Sequence, residues 1–334
     1  MLTNSSRHPR LVYALVGLCA VAALGAGYQA IAQWRDDRMP PPGQLVDVGG
    51  HRLHLLCAGS GTPTVVLESG LGETSAYWAW ISTAIARTTR VCAYDRAGRG
   101  WSEAAGAPQD GLAVADDLHA LLASAHVPAP VVLVGHSSGA AYVRIFAGRY
   151  PEQVAGAVLL DGQPAEAFEK LPDYPGFYRS YRRVTLFLPA LARLGIGRLV
   201  YHHDFDQLPA GSREAERRHY SSTRMYQSMR DEFAALPATL RQAHAAESFG
   251  DRPLVVVSAS RDAQRGWLQA QDEMAALSAH SSHRIVPSTH LDLVMDQAAS
   301  RASIEAIGEV VRAVRCGRPD ATASAGTRSA RGDF

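Results

Sequence analysis

Val131-Val132-Leu133-Val134-Gly135-His136-Ser137-Ser138-Gly139-Ala140 is the stretch that decides how this chain folds. Its first four residues are aliphatic without alternation, the pattern of a strand buried on both faces of a parallel sheet. The small residues that follow permit a sharp turn, and residues 140–149 then read as a helix. A serine on such a strand–turn–helix bend stands clear of its neighbours, beside the free N–H groups and positive dipole end of the helix. Gly135, Gly139 and Ala140 leave the space the bend needs. Of the two adjacent serines, only Ser137 holds the central position of Gly-x-Ser-x-Gly, which makes it the candidate nucleophile.

Reading outward from this bend, strands and helices alternate. Towards the N-terminus, residues 45–56 alternate apolar and polar on both sides of Gly49-Gly50, a hairpin signature. Residues 64–68 (TVVLE) and 91–94 read as buried strands, the first leading into the Gly-rich loop Ser69-Gly70-Leu71-Gly72. In 110–127, Val114, Leu118, Leu121 and Leu122 recur at helical spacing. Towards the C-terminus, 157–160, 253–258 and 284–286 read as strands, and Ile304, Ile307, Val311 and Val314 mark a closing helix. Repeated strand–helix units predict an α/β class with a mostly parallel, doubly wound sheet covered on both faces.

Between 161 and 252 the rhythm breaks. No clear strand occurs there, and helical patches rich in Arg and Tyr predict an inserted helical lid at about 162–250 over the carboxyl edge of the sheet. Residues 185–201 (TLFLPALARLGIGRLVY) are its most apolar part. They suit contact with lipid or an acyl chain, or a helix that buries this face on the core, and the second reading is preferred. His202-His203-Asp204-x-Asp206 has a superficial likeness to a metal cluster, but it lacks ligands at helical spacing and reads as a polar loop. Tyr77, Trp78 and Trp80, after the Gly-rich loop, suit either a pocket lining or packing of the first helix on the sheet.

A serine hydroxyl is a poor nucleophile until a base takes its proton. Of 13 histidines, His290 alone follows the last predicted strand and precedes the closing helix. His280 and His283 precede that strand and are expected to face solvent at the opposite sheet edge. A carboxylate must hold the tautomer of the base. Asp262, after the 253–258 strand, gives the order Ser…Asp…His and is preferred; Asp161, at the end of the 157–160 strand, is the alternative. Neither a metal nor a cofactor is needed by such a set.

The 334 residues are 47% apolar and 19% charged, which suits a large packed core. Lys plus Arg is 33 against 32 Asp plus Glu, a balance that gives no support to nucleic-acid binding. The N-terminus differs: no charged residue lies between Arg10 and Arg35. Residues 11–32 are long enough to cross a hydrocarbon core as a helix. Arg7 and Arg10 before it predict a cytoplasmic segment 1–10 and an exported remainder. A cleaved signal ending at Ala30-Ile31-Ala32 is the competing reading, with a secreted product. Residues 33–43, with Pro40-Pro41-Pro42, predict a stiff linker, 44–316 the folded domain, and 317–334, which ends near Arg331-Gly332-Asp333, a disordered tail. Cys57 and Cys92 stand at the ends of two predicted strands, as a disulfide in an oxidising compartment or as two buried thiols.

From residue 44 to 316 the chain resembles the α/β-hydrolase superfamily, in its lid-bearing serine-hydrolase branch. Three motifs carry the resemblance in order: the Gly-rich loop, Asp95-Arg96-Ala97-Gly98-Arg99-Gly100-Trp101-Ser102, and the turn at Ser137. The resemblance implies an oxyanion hole from the backbone N–H groups of Leu71 and Ser138, with residues 95–102 bracing the loops nearby. It departs from the common form at Ser69-Gly70, where relatives often have His-Gly. It also implies that relatives opening epoxides or carbon–halogen bonds carry aspartate at the turn, so Ser137 points away from both. What it favours is cleavage of carboxylic esters, small or lipid-like. Peptide, thioester and carbon–carbon bonds are the alternatives, and a non-catalytic binding protein is the remote one. Nothing in the sequence addresses oligomeric state.

Overall fold

The computed structural model describes residues 9–201, 204–246 and 248–317. His202 and His203, residues 1–8 and the predicted tail beyond 317 lie outside the described residues. In chain order, helix α1 (Pro9–Asp36) is followed by strands β1 (Gln44–Asp47), β2 (Arg52–Ala58) and β3 (Val65–Glu68). Then come α2 (Ala79–Ile85), β4 (Val91–Tyr94), α3 (Gly111–Ser124), β5 (Val131–His136), α4 (Gly139–Arg149) and β6 (Val154–Leu160). The insertion contributes α5 (Ala167–Lys170), α6 (Tyr174–Arg193), α7 (Ile196–Val200), α8 (Ala210–His219) and α9 (Thr223–Ala245). β7 (Leu254–Ala259), α10 (Trp267–Ala275), β8 (Ser281–Val286), α11 (Asp292–Met295) and α12 (Ser300–Cys316) complete it.

The eight strands form one sheet in the order β1-β2-β4-β3-β5-β6-β7-β8. β1 and β2 pair antiparallel and β2 joins β4 antiparallel; every pair from β4 to β8 is parallel. The first turn needs two residues at positive φ, which Gly49 and Gly50 supply at +94° and +126°. β3, β4, β5 and β7 are buried along their whole length, which explains why they read as aliphatic runs rather than alternating strands. Register places Cys57 directly opposite Cys92, and the two form a disulfide.

Helices cover both faces. α3, α4 and α10 bury Leu118, Leu121, Val143, Phe146 and Met274 against one face of the sheet. α2, α11 and α12 bury Ile81, Ile85, Val294, Ile307 and Val311 against the other. β8 begins earlier than its aliphatic end suggests, so His283 lies inside the strand. Its ring nitrogens are 2.6 Å from Asp272 and 2.7 Å from Ser258 Oγ, and it does not face solvent as expected; His280 does.

Among the described residues, the insertion between β6 and β7 consists of helices and the loops that join them, with no strand. α6 packs along α9, where Tyr178 stacks on Phe233 with ring centroids 5.1 Å apart. The preferred reading of residues 185–201, a helix burying its apolar face, is corrected in part. Thr185, Pro189 and Ala192 are buried, but Val184, Leu186, Phe187, Leu191, Leu199 and Val200 are exposed. The contact with α9 covers only part of the apolar surface of α6, and arginines occupy the arc beside the rest.

α8 docks the insertion onto the rest of the domain. His219 sits edge-on to Trp101 with ring centroids 4.4 Å apart, and Glu216 bonds Thr74. Burial pushes the His219 imidazole down to about 4, against the opposing pull of Asp95 and with help from Arg218, Arg224 and His54. In the unfolded chain this group takes up a proton near pH 6.5, whereas the folded chain refuses it until about 4. Stability on this account is full above pH 6.5 and falls as pH drops towards 4. Thermal unfolding followed from pH 7.5 to 4.5 is expected to show this loss, and His219→Gln to flatten it. An unchanged slope in the variant would show that His219 protonates freely in the folded protein.

Candidate active site

Ser137 lies at the carboxyl end of β5, where the chain turns into α4 with φ of +54°. Such a backbone is strained for a residue with a Cβ and persists only where its surroundings hold it. The Ser137 N–H donates to Leu160 O of β6 at 3.1 Å, and its carbonyl accepts from Ala140 and Gln163 at 3.1 and 2.8 Å. A Cβ on Gly139 would stand 2.3 Å from Glu68 O, so only glycine lets the start of α4 approach β3 so closely.

The Gly-rich loop lies beside this bend and is tied down through both the amide and the carbonyl of Gly70. Glu73 accepts the Gly70 N–H at 2.6 Å, while Arg96 and Arg99 donate to Gly70 O at 2.8 and 2.9 Å. Arg96 also reaches Ser69 O at 2.5 Å and pairs with the buried Glu68 and with Glu232. Asp95 accepts from Ser75 N–H at 2.6 Å and from His54 at 2.8 Å, which fixes the return of the loop. Among the described residues, the N–H groups of Leu71 and Ser138 donate to no protein acceptor. Two backbone donors flanking Ser137 are therefore available to a bound group.

His290 is held at three points. Its backbone N–H donates to both oxygens of Asp262, at 3.0 and 2.9 Å. Its carbonyl oxygen lies 3.1 Å from His136 Nε2. Its ring Nδ1 lies 2.6 Å from Asp161 Oδ2. The preference for Asp262 as the partner of the ring is thereby corrected in favour of Asp161. The reason is where each carboxylate leaves the sheet. Asp161 directly follows β6, at φ of +44°, and its other oxygen accepts from Trp267 Nε1 at 2.7 Å and Ala259 N–H at 3.1 Å. That fixes the carboxylate plane against the imidazole. Asp262 lies three residues past β7, where it meets the backbone of the His290 loop instead of its ring.

Sequence reasoning missed Glu73 and His136. His136 Nδ1 is 2.7 Å from Glu73 Oε1, and both side chains are buried. The second nitrogen of His136 faces a carbonyl, so both ring nitrogens meet acceptors and both must carry protons. Burial opposes charge on either partner. The mutual charge and hydrogen bond outweigh it, raising the His136 imidazole and lowering the Glu73 carboxyl from their ordinary values. The signal for this pair was an ionisable residue at the variable position of Gly-x-Ser-x-Gly and a carboxylate directly after a Gly-rich loop.

Ser137, Asp161, His290, Leu71 and Glu73 open together into a cavity of about 690 Å³. Asp262 borders it, and much of the remaining wall is aromatic or aliphatic: Tyr77, Phe177, Tyr181, Leu188, Tyr201 and Trp267. Tyr77 thus faces the cavity, whereas Trp78 is buried and donates to Ser69 Oγ at 2.9 Å. No group of three or more His, Cys, Asp or Glu suited to a metal occurs among the described residues.

Residues 63–296 match the family model described as alpha/beta hydrolase fold, and the chain belongs to that family. An uncharacterized protein of Schizosaccharomyces pombe is 28% identical over 316 residues, covering 83% of this chain and 57% of that protein. The chain therefore spans little more than half the length of that relative. Among solved structures, a Pseudomonas aeruginosa protein described as a candidate epoxide hydrolase superposes with a TM-score of 0.66 at 20% identity, covering 83% of this chain and 99% of that one. A thermophilic esterase from Thermogutta terrifontis gives 0.60 at 21% identity, covering 79% and 94%. These two likenesses show the fold.

Removing one partner of the buried Glu73–His136 pair strands a charge away from water. Glu73→Ala is expected to lower the unfolding free energy by roughly 3 kcal/mol in denaturant titration. Glu73→Gln, which keeps an acceptor, should cost less; equal small losses would show that His136 is neutral.

Proposed function

We propose that the chain is a serine hydrolase that cleaves carboxylic esters through an acyl-enzyme, with Ser137 as nucleophile, His290 as base and Asp161 as the carboxylate that orients it. The observation that carries this reading is the Asp161–His290 bond opening with Ser137 into one cavity. With Nδ1 engaged by Asp161, His290 offers Nε2 to the serine hydroxyl. Ser137 then attacks the ester carbonyl and its proton passes to His290. The N–H groups of Leu71 and Ser138 hold the oxyanion, each worth about 3 kcal/mol in the transition state. His290 returns the proton to the leaving alcohol, and water activated by the same ring releases the acid. Asp262 holds the loop that carries the base.

A serine at the turn supports acyl chemistry over the alkyl-ester chemistry of epoxide opening, even though one structural neighbour is described in those terms. The helical insertion serves as the lid of the cavity. In this reading α1 is an uncleaved anchor, with the domain on the exported side. The Cys57–Cys92 disulfide supports export to an oxidising compartment, which a secreted, cleaved form would share.

A fluorophosphonate probe should label the wild-type protein and leave Ser137→Ala unlabelled; equal labelling of both would end the enzyme reading. On a short-chain ester, Asp161→Asn is expected to lower kcat about 10⁴-fold, as loss of the tautomer-setting carboxylate does. Asp262→Asn should lower it roughly tenfold or less, since it loses only a hold on the backbone. The reverse ranking would return the role to Asp262. Faster turnover of peptide, thioester or carbon–carbon substrates than of any ester in a graded panel would change the substrate class.

A further inference from the structure

α1 is fastened to the insertion, and two of the three fastening points, Gly25 and Gln29, lie within its apolar run. Gly25 meets α6 so closely that a Cβ there would stand 2.5 Å from Leu194 O. Gln29 donates to Ser221 O at 2.6 Å and accepts from Arg198 Nε at 2.9 Å. Arg198 also pairs with Asp36 at 2.6 Å. The apolar run ends at residue 32, so the contact at Gly25 lies seven residues inside it. At 1.5 Å per residue, that is about 10 Å along the helix.

When the apolar run of α1 is in lipid, the end of α6 is carried with it to that depth, and α7, whose Arg198 meets Gln29 three residues inside the run, to about 5 Å; this range is the depth of the pair. It matches the 5–10 Å at which interfacial helices bury their apolar face, measured from the headgroup boundary. The two helices are built for that position. Phe177, Val184 and Leu191 repeat at seven-residue intervals on one side of α6, with Phe187 beside them, and all are exposed. Leu199 and Val200 of α7 are 80% and 58% exposed. On the adjoining arc stand Arg179, Arg183 and Arg193, and residues 174–200 contain five Arg with no Asp or Glu. Apolar and arginine arcs side by side suit the acyl boundary and anionic headgroups of one leaflet. A second copy would bring the same arginines against each other.

We infer that α6 and α7 seat on the bilayer surface and that the catalytic cavity opens towards it, so the substrate is an ester dissolved in lipid. Phe177, Tyr181 and Leu188 of α6 line the cavity that holds Ser137 and His290, so the membrane-facing helix is also a wall of the site. The inference rests on reading α1 as a retained membrane helix.

The full chain, with Cys19→Ser and Cys316→Ser, is placed in nanodiscs of phosphatidylcholine and phosphatidylglycerol, and one fluorophore is attached through Phe187→Cys, Leu199→Cys, Leu18→Cys or Glu305→Cys. Brominated phosphatidylcholine is expected to quench positions 187, 199 and 18 at least about twofold and to spare 305. Quenching at 18 alone overturns the seating of α6 and α7 while α1 stays in the bilayer; quenching at none removes the anchor and the inference together. If 187 and 199 stay unquenched and Phe187→Asp turns a dimer into monomers, the face belongs to a second copy and the inference falls. In turnover, Phe187→Asp combined with Leu199→Asp should lower hydrolysis of a bilayer-dissolved long-chain ester about tenfold and spare a soluble short-chain ester. Equal loss on both esters overturns lateral entry. Because quenching needs no turnover, failure of the wild type on the soluble ester would count against the ester reading alone.

Discussion

The left-handed bend at Ser137 is the constraint on which the rest of the site depends. A residue with a Cβ is held at φ +54° only because its amide, its carbonyl and the glycines on either side leave no other path. Its amide bonds Leu160 and its carbonyl bonds Gln163, which ties the bend to the end of β6, where Asp161 makes a second left-handed turn. Two strained residues on adjacent strand ends are thus coupled through backbone bonds. The geometry of the side chains above them follows from the parallel sheet below.

Charge is arranged around this bend in closed pairs. Arg96 with Glu68 and Glu232, and His136 with Glu73, all lie away from water. Burying so many ions is costly and gives little net stability compared with a well-packed apolar core. What these pairs do give is position. Arg96 and Arg99 hold the carbonyl of Gly70, Glu73 holds its amide, and His136 reaches the carbonyl of His290. One network therefore sets the spacing between the Leu71 amide, the bend and the imidazole, which is the quantity that a preorganised oxyanion site must control.

How much of this was legible follows the kind of force involved. Aliphatic runs such as 131–134 and 254–257 read directly as buried strands, because burial on both faces leaves no other composition. Ser137 and His290 were singled out by motif and by order along the chain, and both border the same cavity. The choice between Asp161 and Asp262 was not legible, since both follow neighbouring strands and both reach the His290 loop. It is decided by Trp267 and Ala259, which turn Asp161 towards the ring, and those contacts depend on how α10 folds back. The Glu73–His136 pair was hidden for the same reason, its members standing 63 positions apart in the chain. The insertion read only as a break in rhythm, because the apolar arc of α6 is wider than the part that packs on α9, and periodicity alone does not say which part of it is buried.

That ambiguity in α6 has a physical meaning of its own. A helix that buries one arc on α9 and exposes another apolar arc is unstable in water unless something covers the second. The aromatic stack of Tyr178 on Phe233 and the close approach of Gly25 to Leu194 hold α6 between the core and α1, while its outer arc stays exposed. An anchor joined only by a flexible linker would let the domain tumble. Here Gln29 and Arg198 add polar bonds that fix the angle, so in the proposed membrane-seated arrangement orientation and shape of the cavity are set by the same helix.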